Sequence, residues 1–211
     1  MAFAASTHIS SLDPTQSFHS TLTTSITLDA GRSDTGCSLH ITHAFPPDVF
    51  VDPYELVDQH ADDYAFNLTG LVDVELPVSA VPPEGQTLSL RLIYPKDQKV
   101  GSQISVQVPI HARYGAPSET RYHDIILSSP HVVWHCPGIQ GSTDTNTETI
   151  SIPLSTSDSL TLRIPVADPR HLSIVEPATA AAVLGAFLVL AYTFAVAATA
   201  LRKTKSQKYI D

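Results

Sequence analysis

The sequence predicts an all-β protein: an antiparallel, sandwich-like domain followed by one C-terminal transmembrane helix. Three observations carry this expectation. Apolar and polar residues alternate in many short runs, the pattern of a strand with one face in a core and the other in water. Turn-forming clusters separate the runs, at Pro82-Pro83-Glu84-Gly85, Pro95-Lys96-Asp97, Tyr114-Gly115-Ala116-Pro117 and Pro137-Gly138. Ala178–Leu201 is a run of 24 residues with no charged side chain. At about 1.5 Å per residue such a helix reaches roughly 36 Å, against a bilayer core of about 30 Å.

Taken in order, residues 1–20 are rich in Ser, Thr and His, lack a strong period and read as irregular. Residues 21–166 form the β-rich domain. Leu22, Thr24, Ile26 and Leu28 share the face of a first strand, and Leu39 and Ile41 mark a second. Asp52-Pro53-Tyr54-Glu55-Leu56-Val57 offers Asp at an N-cap and Pro at the first helical position, so a short helix is expected there, ending near Asp62. Val72, Val74 and Leu76 alternate with Asp73 and Glu75, which predicts a strand. Further strands are expected at Leu88–Tyr94, Ile104–Ile110, Ile125–Leu127, Val132–Trp134 and Leu160–Val166. Gly138–Thr149 reads as a surface loop. Residues 167–177 link the domain to the membrane helix, 178–201, which Pro177 precedes. Residues 202–211 are a short polar tail. Many short strands without long amphipathic helices favour a sandwich.

Charge is unevenly spread. Residues 1–177 hold 8 basic and 20 acidic side chains, whereas 202–211 hold 4 basic and 1 acidic. The acidic domain argues against nucleic acid, which needs clustered Lys and Arg. The basic tail fits a cytosolic flank and puts the domain on the opposite side, in a lumen or outside the cell. Met1–Ser10 shows neither the basic nor the apolar region of a signal peptide. That leaves three routes: a true start missing from the sequence, insertion directed by the C-terminal helix, or a tail-anchored protein with a cytosolic domain. A GPI-attachment signal would end in its hydrophobic tail, and here a polar one follows.

Chemical motifs are sparse. Asn67-Leu68-Thr69 is an N-glycosylation sequon. Cys37 and Cys136 could form a disulfide in an oxidising lumen, although sequence alone leaves their pairing open. Ten histidines invite a metal reading. His131 and His135 are four apart, yet Val132-Val133-Trp134 favours a strand, where such residues lie about 13 Å apart, too far to share a zinc. His40 and His43 would face opposite ways. No metal site and no cofactor are expected. There is no Gly-x-Ser-x-Gly elbow, catalytic Cys signature or phosphate-cradling loop, so no catalytic residue is assigned. In the membrane helix Ala178, Ala182 and Ala186 are four apart, as are Ala181 and Gly185. Small residues at that spacing let another helix approach closely, or they reflect an alanine bias of the whole protein.

Four segments, in order, resemble the PIG-X/Pbn family: Phe45–Leu56 with its Asp52-Pro53-Tyr54-Glu55-Leu56, the acidic Val72–Pro77, Val108-Pro109-Ile110-His111-Ala112-Arg113-Tyr114, and Ser129–Cys136. The lone C-terminal helix fits as well. The resemblance implies a lumenal domain in the endoplasmic reticulum. It also implies a non-catalytic accessory subunit that stabilises a multispanning mannosyltransferase, the enzyme that adds the first mannose to GPI-anchor precursors. Animal members carry a signal peptide and this chain shows none.

Pro109 cannot donate a ladder hydrogen bond and favours an edge or bulge. On a continuing strand His111 and Arg113 share one face and Ile110, Ala112 and Tyr114 the other. His111, Arg113 and Tyr114, with Ala182 and Gly185 in the helix, are therefore the candidate partner contacts. The plainer reading makes Arg113 a structural cation paired with a carboxylate. Two rival functions stand beside the accessory subunit: a general lumenal chaperone for membrane proteins, and a glycolipid-acting enzyme using His111.

Overall fold

The architecture is that of a computed structural model, which describes residues 7–27, 37–93, 103–136, 148–155 and 159–207. The expected turns at Pro95-Lys96-Asp97 and Pro137-Gly138, most of the loop Gly138–Thr149, and Leu28, Tyr94 and Lys208 lie outside these residues, as do the side chains of Arg202, Lys203 and Lys205.

The described strands are β1 (Thr7–Asp13), β2 (His19–Thr27), β3 (Ser38–Phe45), β4 (Val49–Phe50), β5 (Tyr64–Gly70), β6 (Gln86–Leu92), β7 (Gln103–Ala112), β8 (Tyr122–Leu127), β9 (His131–Cys136), β10 (Glu148–Ile152) and β11 (Leu160–Pro165). They form a sheet ordered β1-β2-β7-β4, a sheet ordered β10-β9-β3-β6-β5, and the pair β11-β8, and every strand pairing in them is antiparallel. Alternation does what it should. In β2 the inward Leu22, Thr24 and Ile26 are buried, and in β7 so are Ile104, Val106 and Val108. The inward residues of all three sheets join one hydrophobic cluster, each fully buried Leu or Ile contributing about 1.5–3 kcal/mol. Tyr64 of β5 donates its hydroxyl hydrogen to the Gln107 carbonyl of β7 at 2.9 Å, tying the two larger sheets together.

Helix α1 (Pro53–His60) forms where its capping signal predicts. The Asp52 side chain accepts from the Tyr54 backbone N–H at 2.8 Å, Pro53 opens the helix, and Leu56 is fully buried.

Three expectations are corrected. Residues 1–20 are not wholly irregular: β1 lies there, and its inward side chains are His8 and Leu12 rather than an apolar row. Val72–Leu76 is not a strand. Val72 and Val74 are exposed and, among the described residues, no partner strand pairs with the segment, so its alternation has no core to face. The loop expected over Gly138–Thr149 gives way at its end to β10, whose Ile150 sits opposite Trp134 of β9.

The turn before β6 depends on Gly85, which has φ +64°. A Cβ there would clash with the Phe45 carbonyl oxygen. Gly85→Ala is expected to cost about 2 kcal/mol, read as a lower midpoint in chemical unfolding. An unchanged midpoint would refute this account of the turn.

A second unit comprises Pro117–Glu119 and the chain from Ala167 onward. Asp168 caps a 3-10 turn, Pro169–His171, through a 3.0 Å bond from the Arg170 N–H. The pairing with Arg170 holds the Asp168 carboxyl below the usual carboxylate range. Helix α2 (Leu172–Gln207) follows at once, 36 residues long with Pro177 inside it. The helix thus begins before the hydrophobic run at Ala178, and Pro177 interrupts a backbone bond instead of opening the helix. At about 1.5 Å per residue it is roughly 54 Å long, more than a bilayer core requires. Within Pro169–Leu201 an 18-residue stretch has mean hydropathy 2.2, and the helix is long and apolar enough to cross a membrane.

Candidate functional site

The end of β7 gathers several polar and aromatic side chains. The β2–β7 register sets His19 opposite His111, so both project on the same side of the sheet. Their rings stack at 4.5 Å and 3°. Phe50 of β4, also paired with His111, lies 5.1 Å from it, again nearly parallel. Glu55, in the first turn of α1, meets both imidazoles. Its Oε2 is 2.7 Å from His111 Nε2 and its Oε1 is 3.3 Å from His19 Nε2. An ionised carboxylate can only accept, so His111 Nε2 donates to it.

The chain leaves the strand after Ala112. The Ala112 N–H bonds to the Phe18 carbonyl and the Arg113 N–H to the Asp48 carbonyl, each at 2.8 Å. His111 and Arg113 both lie against the Phe50 ring, as residues on one face would, but Arg113 is not open to solvent there. It is 3 % exposed, donates through Nη1 to the Leu76 carbonyl at 2.7 Å, and lies over the Phe50 ring at 4.7 Å. Burial pushes its pKa down, and the nearby charge of Asp73 opposes that shift. Of the plainer expectation, an Arg paired with a carboxylate, the charge of Asp73 is what the structure shows; the hydrogen-bond partner is a carbonyl and the ring contact is Phe50. Tyr114 is exposed, with its ring 4.7 Å from Phe18. Asp48 in turn accepts from His123 of β8 at 3.0 Å.

Three of the segments that carry the family resemblance therefore interlock at one place. Glu55 of the first binds His111 of the third, and Arg113 of the third holds Leu76 of the second. The fourth segment is β9 in the other large sheet. There Cys136 is bonded to Cys37 just before β3, with the Cα atoms 4.1 Å apart. The sequon residue Asn67 is exposed on β5, the outermost strand of its sheet. Ala182 and Gly185 are exposed on α2, and nothing lies within 4 Å of a Cβ built at Gly185.

His19 and Glu55 had no signal of their own as site residues. They stand far from His111 in sequence, and only the strand register unites them. His131 and His135 lie on strand β9, as their neighbours predict. His43 is buried and His40 partly so, as opposite strand faces require.

The described residues so define a β-rich domain with a self-bound cluster at one strand end, and an apolar helix long enough to span a membrane. The chain belongs to the PIG-X / PBN1 family, whose model matches residues 15–195. It is 36 % identical to Protein pbn1 of Neurospora crassa over 118 residues, 52 % of this chain and 23 % of that protein. Against Protein pbn1 of Emericella nidulans the identity is 28 % over 142 residues, 61 % and 27 % of the two chains. Against Protein pbn1 of Schizosaccharomyces pombe it is 26 % over 172 residues, 74 % and 50 %. The matched part thus spans about a quarter to a half of the length of these relatives.

Proposed function

We propose that this chain is a non-catalytic, single-pass subunit of the endoplasmic-reticulum membrane. It binds and stabilises the multispanning mannosyltransferase that adds the first mannose in GPI-anchor biosynthesis. Its domain is lumenal, its tail cytosolic, and the sugar donor and glycolipid acceptor belong to the partner.

The observation that carries this reading is the interlocked cluster. His111, Arg113 and Glu55 are spent on holding three segments together, which suits a scaffold whose shape is its function. That packing leaves Tyr54 83 % and Tyr114 76 % exposed, and exposed tyrosines favour protein contacts, since they bring large area at low entropy cost. A disulfide and an exposed sequon suit an oxidising lumen. Ala182 and Gly185 offer α2 a smooth face for another membrane helix.

The test is purification in mild detergent through a tag on the tail. One multispanning mannosyltransferase in near-equal amount is expected, and the double variant Ala182→Leu, Gly185→Leu should recover several-fold less of it. Many unrelated membrane proteins would replace this reading with a general chaperone. An empty eluate would defeat it, and full recovery with the double variant would remove the helix from the interface.

A further inference from the structure

We propose that His19, Glu55 and His111 form a binding site for a divalent transition-metal cation, zinc foremost. The three side chains each offer one ligand atom, and these atoms lie within 4.8 Å of one another. Two imidazoles and a carboxylate are a donor set that suits zinc, at about 2.0–2.2 Å from each donor atom. Tetrahedral coordination at that length puts ligand atoms roughly 3.4 Å apart. The His19 and His111 contacts, 3.3 and 2.7 Å, run to different oxygens of Glu55; with one oxygen as the ligand, the three atoms lie within 4.8 Å and draw in by about 1.4 Å at most to reach that spacing.

The backbone brings the donors together: the ladder of β2 and β7 sets His19 beside His111, and the capped first turn of α1 brings Glu55 to both. The two rings are parallel to within 3° and turn about their side-chain bonds for both Nε2 atoms to face one ion. Phe50 backs the His111 ring. The side chains of Glu55 and His111 are 16 % and 27 % exposed, while that of His19 is 56 % exposed. Two ligands are thus sheltered and the third opens to solvent, which gives an ion a way in and leaves room for a water as fourth ligand. On binding, the Nε2 hydrogen that His111 now gives Glu55 leaves, and each imidazole carries its hydrogen on Nδ1, shifted through solvent, so that the Nε2 lone pair faces the metal. The carboxylate exchanges that hydrogen bond for one coordinate bond and keeps its charge. Function as an accessory subunit does not enter this inference.

The experiment uses the full chain in detergent, purified without a polyhistidine tag and stripped with chelator, then titrated calorimetrically with zinc chloride. Saturable one-to-one binding is expected in the wild type. His19→Ala, at an exposed position that leaves the core intact, should weaken it at least about tenfold, and Glu55→Gln likewise. The double variant His131→Ala, His135→Ala should bind as the wild type does. Thermal unfolding of His19→Ala without metal should match the wild type, while added zinc should raise the midpoint of the wild type only. Absence of saturable binding in the wild type overturns the proposal. So does wild-type affinity in His19→Ala, or loss of binding in the His131, His135 variant.

Discussion

Replacing both Cys37 and Cys136 by Ser is expected to lower the unfolding free energy by about 4–5 kcal/mol, the largest effect foreseen for any simple change in this chain. The bridge spans 99 residues of sequence. Cross-linking so long a loop removes much of the freedom of the unfolded chain. The folded side contributes too, because Cys136 is buried at the end of β9 and continues the β3–β9 register by one step past Ser38 and His135. The chain has one tryptophan, Trp134, which is buried two residues before Cys136. Its fluorescence follows unfolding in urea next to the bond itself. The wild type should unfold at lower urea with reductant present, and the double Ser variant should be indifferent to it. A wild-type midpoint that ignores reductant would show that the bridge adds no stability.

The second large effect is a loss of stability in acid. His43 of β3 is 1 % exposed, lies against the Phe45 ring at 5.6 Å, and has no hydrogen-bond partner for either ring nitrogen among the described residues. Burial, with a smaller push from His8, lowers its pKa from 6.5 to about 4. His8 of β1 is shifted down as well, mainly by burial. A histidine held neutral in the fold favours the folded state above its unfolded pKa, and that contribution is lost as pH falls through 6.5 toward 4. The unfolded chain takes up the proton first. For His43 alone the loss is about 2 kcal/mol by pH 5 and about 3 kcal/mol by pH 4. Carboxylates add their own acid dependence, so the informative quantity is the difference between the wild type and His43→Leu. The variant should lose less stability than the wild type between pH 7 and pH 5. Parallel curves would rule out His43 as the acid-sensitive group.

Much of the fold was legible because burial imposes a period. Leu22, Thr24 and Ile26, or Ile104, Val106 and Val108, announce a strand whatever surrounds them. Asp52 and Pro53 announce a helix start just as plainly. The misses share a physical origin. In β1 an inward position is filled by His8, so the pattern of apolar residues fails where the core accepts a ring nitrogen. In Val72–Leu76 the pattern is present but no strand lies alongside. Alternation records what a segment could bury, and pairing decides whether it does.

The candidate site was half legible. His111 and Arg113 stood out by their segment, yet their environment depends on where β7 stops, and the bonds from Ala112 and Arg113 to Phe18 and Asp48 decide that. The association of His19 and Glu55 with His111 rests on register, which a sequence read alone does not contain.

The position of β5 has a consequence for how the domain meets other chains. Among the described residues no strand lies beyond it, and its seven residues, Tyr64–Gly70, carry no charge. Proteins usually guard such an edge with lysine, proline or a bulge, because unpaired backbone groups invite a foreign strand. The sequon residue Asn67 stands on this edge, and a sugar there would be such a guard. A glycan is bulky and hydrated, and standing on the open ladder it would bar strand-to-strand docking from that side. Glycosylation would then act as a choice of face, closing the sheet edge to pairing and leaving the tyrosine-bearing end of β7 as the surface that other proteins can approach.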